Sequence, residues 1–160
     1  GMNLIRRAVK VERMGISGLH VNLWAGLGSY LQLRNTIRLP IFFQKSGEKV
    51  ITTGPYSIDY TVICKLVNLM GCDFAHVGMS GGYLDEPVDV IKGRLKALGN
   101  TIPSFSCGAE PNSVKNLVEL YGIDIMVSSG GYIASHPKGP REGARAMRQA
   151  AEEINELVNK

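Results

Sequence analysis

No run in the 160-residue chain approaches the ~18 consecutive apolar residues of a membrane-spanning helix. The N-terminus does not read as a secretory signal either. Gly1-Met2 reads instead as an expression scar before a start methionine, and Gly1 is left out of the fold reasoning. Cysteine is scarce: Cys64, Cys72 and Cys107 form an odd set with no C-x-x-C pair. That excludes a disulfide framework and a structural zinc site, and points to a reducing cytoplasm. The histidines, His20, His76 and His136, do not have metal-ligand spacing, so no metal site is expected from them. Basic residues never run five together, and the 7% of aromatics do not interleave with Lys or Arg. Despite a net charge of +4, nucleic acid is therefore not an expected partner, and neither is a membrane.

What the chain does contain is 44% hydrophobic and 20% charged residues, enough for one α/β domain spanning 1–160. Helix and strand patterns alternate without repeats. The spacing predicts helices over 2–14, 29–35, 57–70, 88–98, 111–121 and 139–159, and strands over 18–24, 39–43, 72–77, 102–105 and 124–128. The polar stretch 44–56 reads as a loop. In the helix over 57–70, Ile58, Val62, Ile63, Leu66 and Leu69 supply the apolar stripe and Ser57 the N-cap. In the last helix the stripe is Ala144, Met147, Ala151, Ile154 and Leu157. Short apolar strands alternating with helices mean a parallel sheet covered by helices.

Two strands end in small-residue loops, Ser106-Cys107-Gly108 and Ser128-Ser129-Gly130-Gly131. Glycine lets a backbone approach an anion closely, and successive N–H groups can converge on it. Loops after the last two strands of a (β/α)8 barrel are a frequent phosphate site. Ser106, Cys107, Gly108, Ser129, Gly130 and Gly131 are thus phosphate-binding candidates. The plainer alternative is that these glycines only make tight turns. Lys45, Lys138 and Arg141 are candidates for steering an anion. His136 before Pro137 shapes the turn into the last helix, and His20 reads as structural. Cys107 reads as a small buried thiol, and Asp85 and Glu86 as solvated loop carboxylates.

Residues 71–86, Gly71-Cys72-Asp73-Phe74-Ala75-His76-Val77-Gly78-Met79-Ser80-Gly81-Gly82-Tyr83-Leu84-Asp85-Glu86, resemble the strand-six and loop-six region of the RuBisCO large subunit. Ser106-Cys107-Gly108 resembles that family's strand-seven Ser-Gly-Gly. Ser129-Gly130-Gly131 with His136-Pro137-x-Gly139 resembles its strand-eight region, and Gly143-Ala144 with Arg148-x-Ala150 its last barrel helix. The order and spacing match over nearly the whole chain, most like the RuBisCO-like branch. The resemblance implies strands four to eight of a TIM barrel. It also implies that His76 contacts a substrate phosphate and that the family chemistry is magnesium-dependent enolisation, isomerisation or carboxylation of sugar phosphates.

The departures set the functional expectation. Tyr83 stands where carboxylases carry the loop-six lysine, so carboxylation is not expected. The family's strand-five histidine and phosphate-binding arginine fall near Phe42 and Phe43, with Lys45 as a candidate substitute. The family's strand-two metal ligands have no counterpart here, so magnesium is expected only if the other part of the barrel is supplied. The expectation is a sugar-phosphate-binding half of an enolase- or isomerase-type barrel, inactive alone. Its partners would be a phosphorylated sugar, phosphate or sulfate, and a second copy or a chain supplying the other barrel half. The alternatives are a non-catalytic phosphate-binding or interaction module, or a truncated product without function.

Overall fold

The computed structural model describes residues 3–158, and of residues 155, 157 and 158 the backbone alone. Met2 and Asn159, which end the first and last predicted helices, and the Leu157 side chain lie outside the described residues. The chain alternates α1 (Leu4–Arg13), β1 (Leu19–Asn22), α2 (Leu27–Thr36), β2 (Ile41–Gln44), α3 (Lys49–Thr52), α4 (Tyr60–Leu69), β3 (Phe74–Gly78), α5 (Val88–Leu98), β4 (Ile102–Phe105), α6 (Pro111–Tyr121), β5 (Met126–Val127), α7 (Gly130–Ala134) and α8 (Pro140–Val158). The strands form one sheet in the order β1-β2-β3-β4-β5. The pairings of β1 with β2, β2 with β3 and β4 with β5 are parallel. This is the α/β fold of a partial TIM barrel, as the strand–helix alternation predicts. The chain divides into two compact units, Gly1–His76 with Gly93–Pro103, and Val77–Lys92 with Ser104–Lys160.

In the first unit, period-2 alternation sorts the strand side chains. Val21, Ile41, Phe43 and Ala75 are buried, whereas His20 is exposed and Phe42 and Phe74 are half-buried. The buried set packs on α2: the Tyr30 ring lies 5.4 Å from that of Phe43, and its hydroxyl donates to the Val21 carbonyl at 2.6 Å. Fully burying a side chain of this size stabilises by roughly 1.5–3 kcal/mol. Asp73 ties the start of β3 to its surroundings. Its Oδ2 accepts from the Ile41 amide at 2.7 Å and from Arg34 at 3.0 Å, while Arg34 also donates to the Ile37 and Leu39 carbonyls.

The structure corrects the reading of α4. Its N-cap is Asp59, whose carboxylate accepts from the Thr61 amide at 2.7 Å, and not Ser57. The buried face is Tyr60, Ile63, Cys64 and Val67. Ile58, Val62, Leu66 and Leu69, four of the five predicted stripe residues, are exposed. Two apolar faces compete on this short helix, and the one containing a tyrosine and a cysteine wins because the Tyr60 hydroxyl finds the His76 carbonyl at 2.7 Å. The helix ends at Gly71, whose φ of 72° suits a residue without Cβ.

In the second unit, α6 opens with Pro111 at its first position, and the Glu110 amide donates to Ser113 Oγ at 3.3 Å. Val114 and Leu117 form its buried face. The Phe105 and Tyr121 rings stack at 4.9 Å. In α8, Ala144 and Ala151 of the predicted stripe are exposed, while Gly143 and Ile154 are buried. Gly143 is needed there because a Cβ would collide with Ile133 and His136 of the preceding turn. Two short helices were not anticipated: α3 lies within the predicted 44–56 loop, and α7 precedes α8. Both are too short for a 3.6-residue pattern to declare itself.

Candidate functional site

The two glycine-rich loops emerge side by side because β4 and β5 are parallel neighbours, with Ser104 opposite Met126 and Phe105 opposite Val127. The Ser128 amide extends the ladder to the Phe105 carbonyl at 2.8 Å. The Ser104 and Ser128 hydroxyls lie 3.0 Å apart. Ser129 Oγ then donates to the Ala109 carbonyl at 2.6 Å, lacing the second loop to the first. That hydroxyl is committed to the protein, so the donors this loop could offer an anion are main-chain ones. Gly130 and Gly131 open α7, and both are exposed with open space where a side chain would stand.

The first loop is packed against residues 79–87. Ser106 donates its amide to the Gly78 carbonyl at 3.3 Å. Cys107 adopts φ 83°, the only positive value at a non-glycine among the described residues, and Gly108 follows at φ 102°. A left-handed conformation at cysteine costs about 1 kcal/mol or more, which the neighbouring loop must offset. That loop is self-closed: Gly81 donates to Asp85 Oδ1 at 2.7 Å, Ser80 Oγ to the Glu86 carbonyl at 2.9 Å, and Ser80 meets the Tyr121 hydroxyl at 2.6 Å. Asp85, read from sequence as a solvated carboxylate, is exposed but holds its own loop together through Gly81. Tyr83 is exposed, and its hydrogen bond to the Cys107 side chain pushes the phenol pKa upward. The two departures from the family pattern, at positions 83 and 107, thus touch one another.

His76 stands on β3 in the first unit and is buried. Its ring lies 4.8 Å from Phe42 and 5.9 Å from His20, which itself meets Phe42 at 4.6 Å. Burial first, then the charges of His20 and Lys45, push the His76 pKa down to about 4. The imidazole is neutral at pH 7 and acts as a hydrogen-bonding group there, not a cation. His20, read from sequence as structural, shares this sheet face. The signal for it was its place in a period-2 strand whose partners were unknown. Lys45 is buried, with Nζ 3.5 Å from Glu48 Oε1 and 5.0 Å from the Tyr60 ring centre. Lys138 and Arg141 are exposed at the turn into α8, where the Lys138 amide donates to His136 Nδ1 at 3.2 Å. Among the described residues no group of three or more His, Cys, Asp or Glu is placed to hold a metal ion. Cys64 and Cys72 are buried thiols, each pushed up to about 12 chiefly by desolvation.

No protein-family model matches the chain. Curated relatives do. The chain is 28% identical over 144 residues to ribulose bisphosphate carboxylase of Pyrococcus furiosus, covering 85% of this chain and 34% of that protein. Against the Methanosarcina barkeri enzyme it is 25% identical over 182 residues, covering 98% and 42%. Among solved structures, the RuBisCO-like protein MtnW from Alicyclobacillus acidocaldarius superposes with a TM-score of 0.86 at 25% identity, over 97% of this chain and 42% of that one. The octameric RuBisCO of Pyrococcus horikoshii, solved with sulfate, gives 0.83 at 26% identity over 95% and 39%. The chain therefore spans about a third to two-fifths of the length of these relatives. No helix among the described residues is long and apolar enough to cross a membrane. With sequence and fold in agreement over most of its length, the chain is a homologue of the C-terminal barrel part of RuBisCO and RuBisCO-like proteins.

Proposed function

We propose that this chain forms the sugar-phosphate-binding part of a RuBisCO-like barrel of the enolising or isomerising kind, not a carboxylase. The observation that carries this reading is the lacing of two glycine-rich strand ends, with Ser128 on Phe105 and Ser129 on Ala109. It sets main-chain amides of consecutive loops beside one another, an arrangement suited to a phosphate. Tyr83 supports the second half of the proposal. A phenol whose pKa is raised by its thiol partner stays neutral and supplies no positive charge in loop 79–87. His76, neutral and buried, suits a hydrogen bond to a polar group on the ligand.

Magnesium is the metal this family implies. The described residues do not fit it, since they gather no cluster of three or more His, Cys, Asp or Glu. In this reading the 160 residues hold and orient a phosphorylated sugar, while proton abstraction belongs to residues outside them. The octameric state of the Pyrococcus horikoshii enzyme supports self-association as the way the sheet edges are covered. The buried thiols at positions 64 and 72 support a reducing cytoplasm.

The test is a titration with inorganic phosphate followed by NMR. Saturable shifts at the Gly108, Gly130 and Gly131 amides are expected. Their absence up to roughly 20 mM phosphate, well past a millimolar Kd, would sink the reading. An enolisation assay with ribulose bisphosphate and magnesium is expected to show no turnover by this chain alone.

A further inference from the structure

Within the first unit, α4 is apolar on two faces. One face, with Tyr60, Ile63, Cys64 and Val67, is buried. The other carries Val62, Leu66 and Leu69, and Ile58 just before the helix continues it. These four side chains are between 36% and 65% exposed. Their successive spacings of four, four and three residues set them in a single stripe along one side of the helix. Ahead of it, Val50 of α3 and Tyr56 are 76% and 99% exposed. The Ile58 amide donates to the Ile51 carbonyl at 2.9 Å, which holds that segment at the head of the stripe. A helix that is apolar all round is one that is covered all round. From these exposures the six side chains present roughly 700 Å², more than the few hundred Å² of apolar patch a monomer usually shows and close to the roughly 800 Å² each partner buries in a standard interface.

We propose that this stripe is an interface with a second copy of the chain, formed by α4 packing antiparallel on α4 of the other copy about a two-fold axis. The area suits a stable dimer, and the pattern is self-complementary. A two-fold interface uses the same patch on both subunits. Turned end for end, the stripe maps onto itself, so that Ile58 falls opposite Leu69 of the second copy and Val62 opposite its Leu66. A partner of unrelated sequence would not require that symmetry. Lys65 is exposed and flanks the stripe. Its carbon stem can lie along the aliphatic side chains while the ammonium reaches water at the rim. The inference rests on the self-association put forward above and places it on a helix face, which pairing of sheet edges would leave bare.

The experiment is sedimentation velocity of the 160-residue chain over a range of concentrations, beside Val62→Glu, Leu66→Lys and the protein carrying both changes. The parent is expected to associate, as a dimer or an even multiple of one. Each single change sets a charge against an aliphatic partner and is expected to raise the dissociation constant at least roughly hundredfold. In the doubly changed protein the new carboxylate and ammonium face one another across the two-fold axis, and the constant is expected to fall back by roughly tenfold or more. Both positions are exposed in the single chain, so the fold is expected to survive, checked by circular-dichroism melts. Should one single variant fail to fold, the other still decides. A monomeric parent would overturn the proposal. So would association that both single variants leave intact, which would assign it to the sheet edges. No recovery in the doubly changed protein would overturn the antiparallel pairing. Phosphate shifts at Gly108, Gly130 and Gly131 are expected to be the same in every variant, so loss of association and loss of the phosphate reading register separately.

Discussion

The carbonyl of Cys107 occupies the space that any side chain on Gly82 would need, and the Tyr83 amide and ring occupy the space that one on Gly108 would need. Two loops far apart in sequence therefore meet backbone to backbone. Gly82→Ala is expected to destabilise by about 2 kcal/mol, because neither main chain can give way cheaply. Cys107→Gly is expected to cost less than about 1 kcal/mol, since relief of the φ 83° strain offsets the added chain entropy. Urea denaturation measures both. In the Cys107→Gly protein the Tyr83 phenol should titrate at lower pH than in the parent, followed by ultraviolet absorbance, because its first cause of elevation is the hydrogen bond to Cys107.

His76 makes stability depend on pH in a defined window. Its folded pKa, about 4, lies below the ordinary 6.5, so the unfolded chain binds the proton more tightly. The contribution is complete above pH 6.5 and is lost as pH falls toward 4. Its expected size is about 2 kcal/mol, less than the full shift implies because the ring is not wholly shielded from water. His76→Gln should flatten the dependence of the urea midpoint on pH between about pH 7 and about pH 4.5. An unchanged slope would show that His76 is not the group responsible.

The cap of α4 gives a paired test. Asp59→Ala removes the acceptor of the Thr61 amide and is expected to cost about 1 kcal/mol. Ser57→Ala should leave stability within about 0.5 kcal/mol. The bond to Thr61 holds the Asp59 carboxyl below its ordinary pKa. Its stabilising effect is therefore present above the usual carboxylate range and lost as pH falls through it. Thermal melts of the two variants at neutral pH discriminate the capping residue.

Local pattern alone determined much of this protein. Alternating apolar strands and helices ending in glycine specified a parallel α/β sheet, and α5, β4 and α6 fall on the predicted 88–98, 102–105 and 111–121. The glycine-rich loops after β4 and β5 were legible because small residues after an apolar strand leave few other readings. Tertiary structure decided what pattern could not. On α4 two apolar stripes have similar strength in sequence, and only the presence of the His76 carbonyl selects the face bearing Tyr60. His20 joins His76 because strand register, unknown from one sequence, sets which rings meet. Lys45 meets the Tyr60 ring, and Tyr83 meets Cys107, only because folding brings segments distant in sequence together. Secondary structure follows from contacts three or four residues apart, whereas the chemistry of a site depends on distances between segments that only the folded chain brings together.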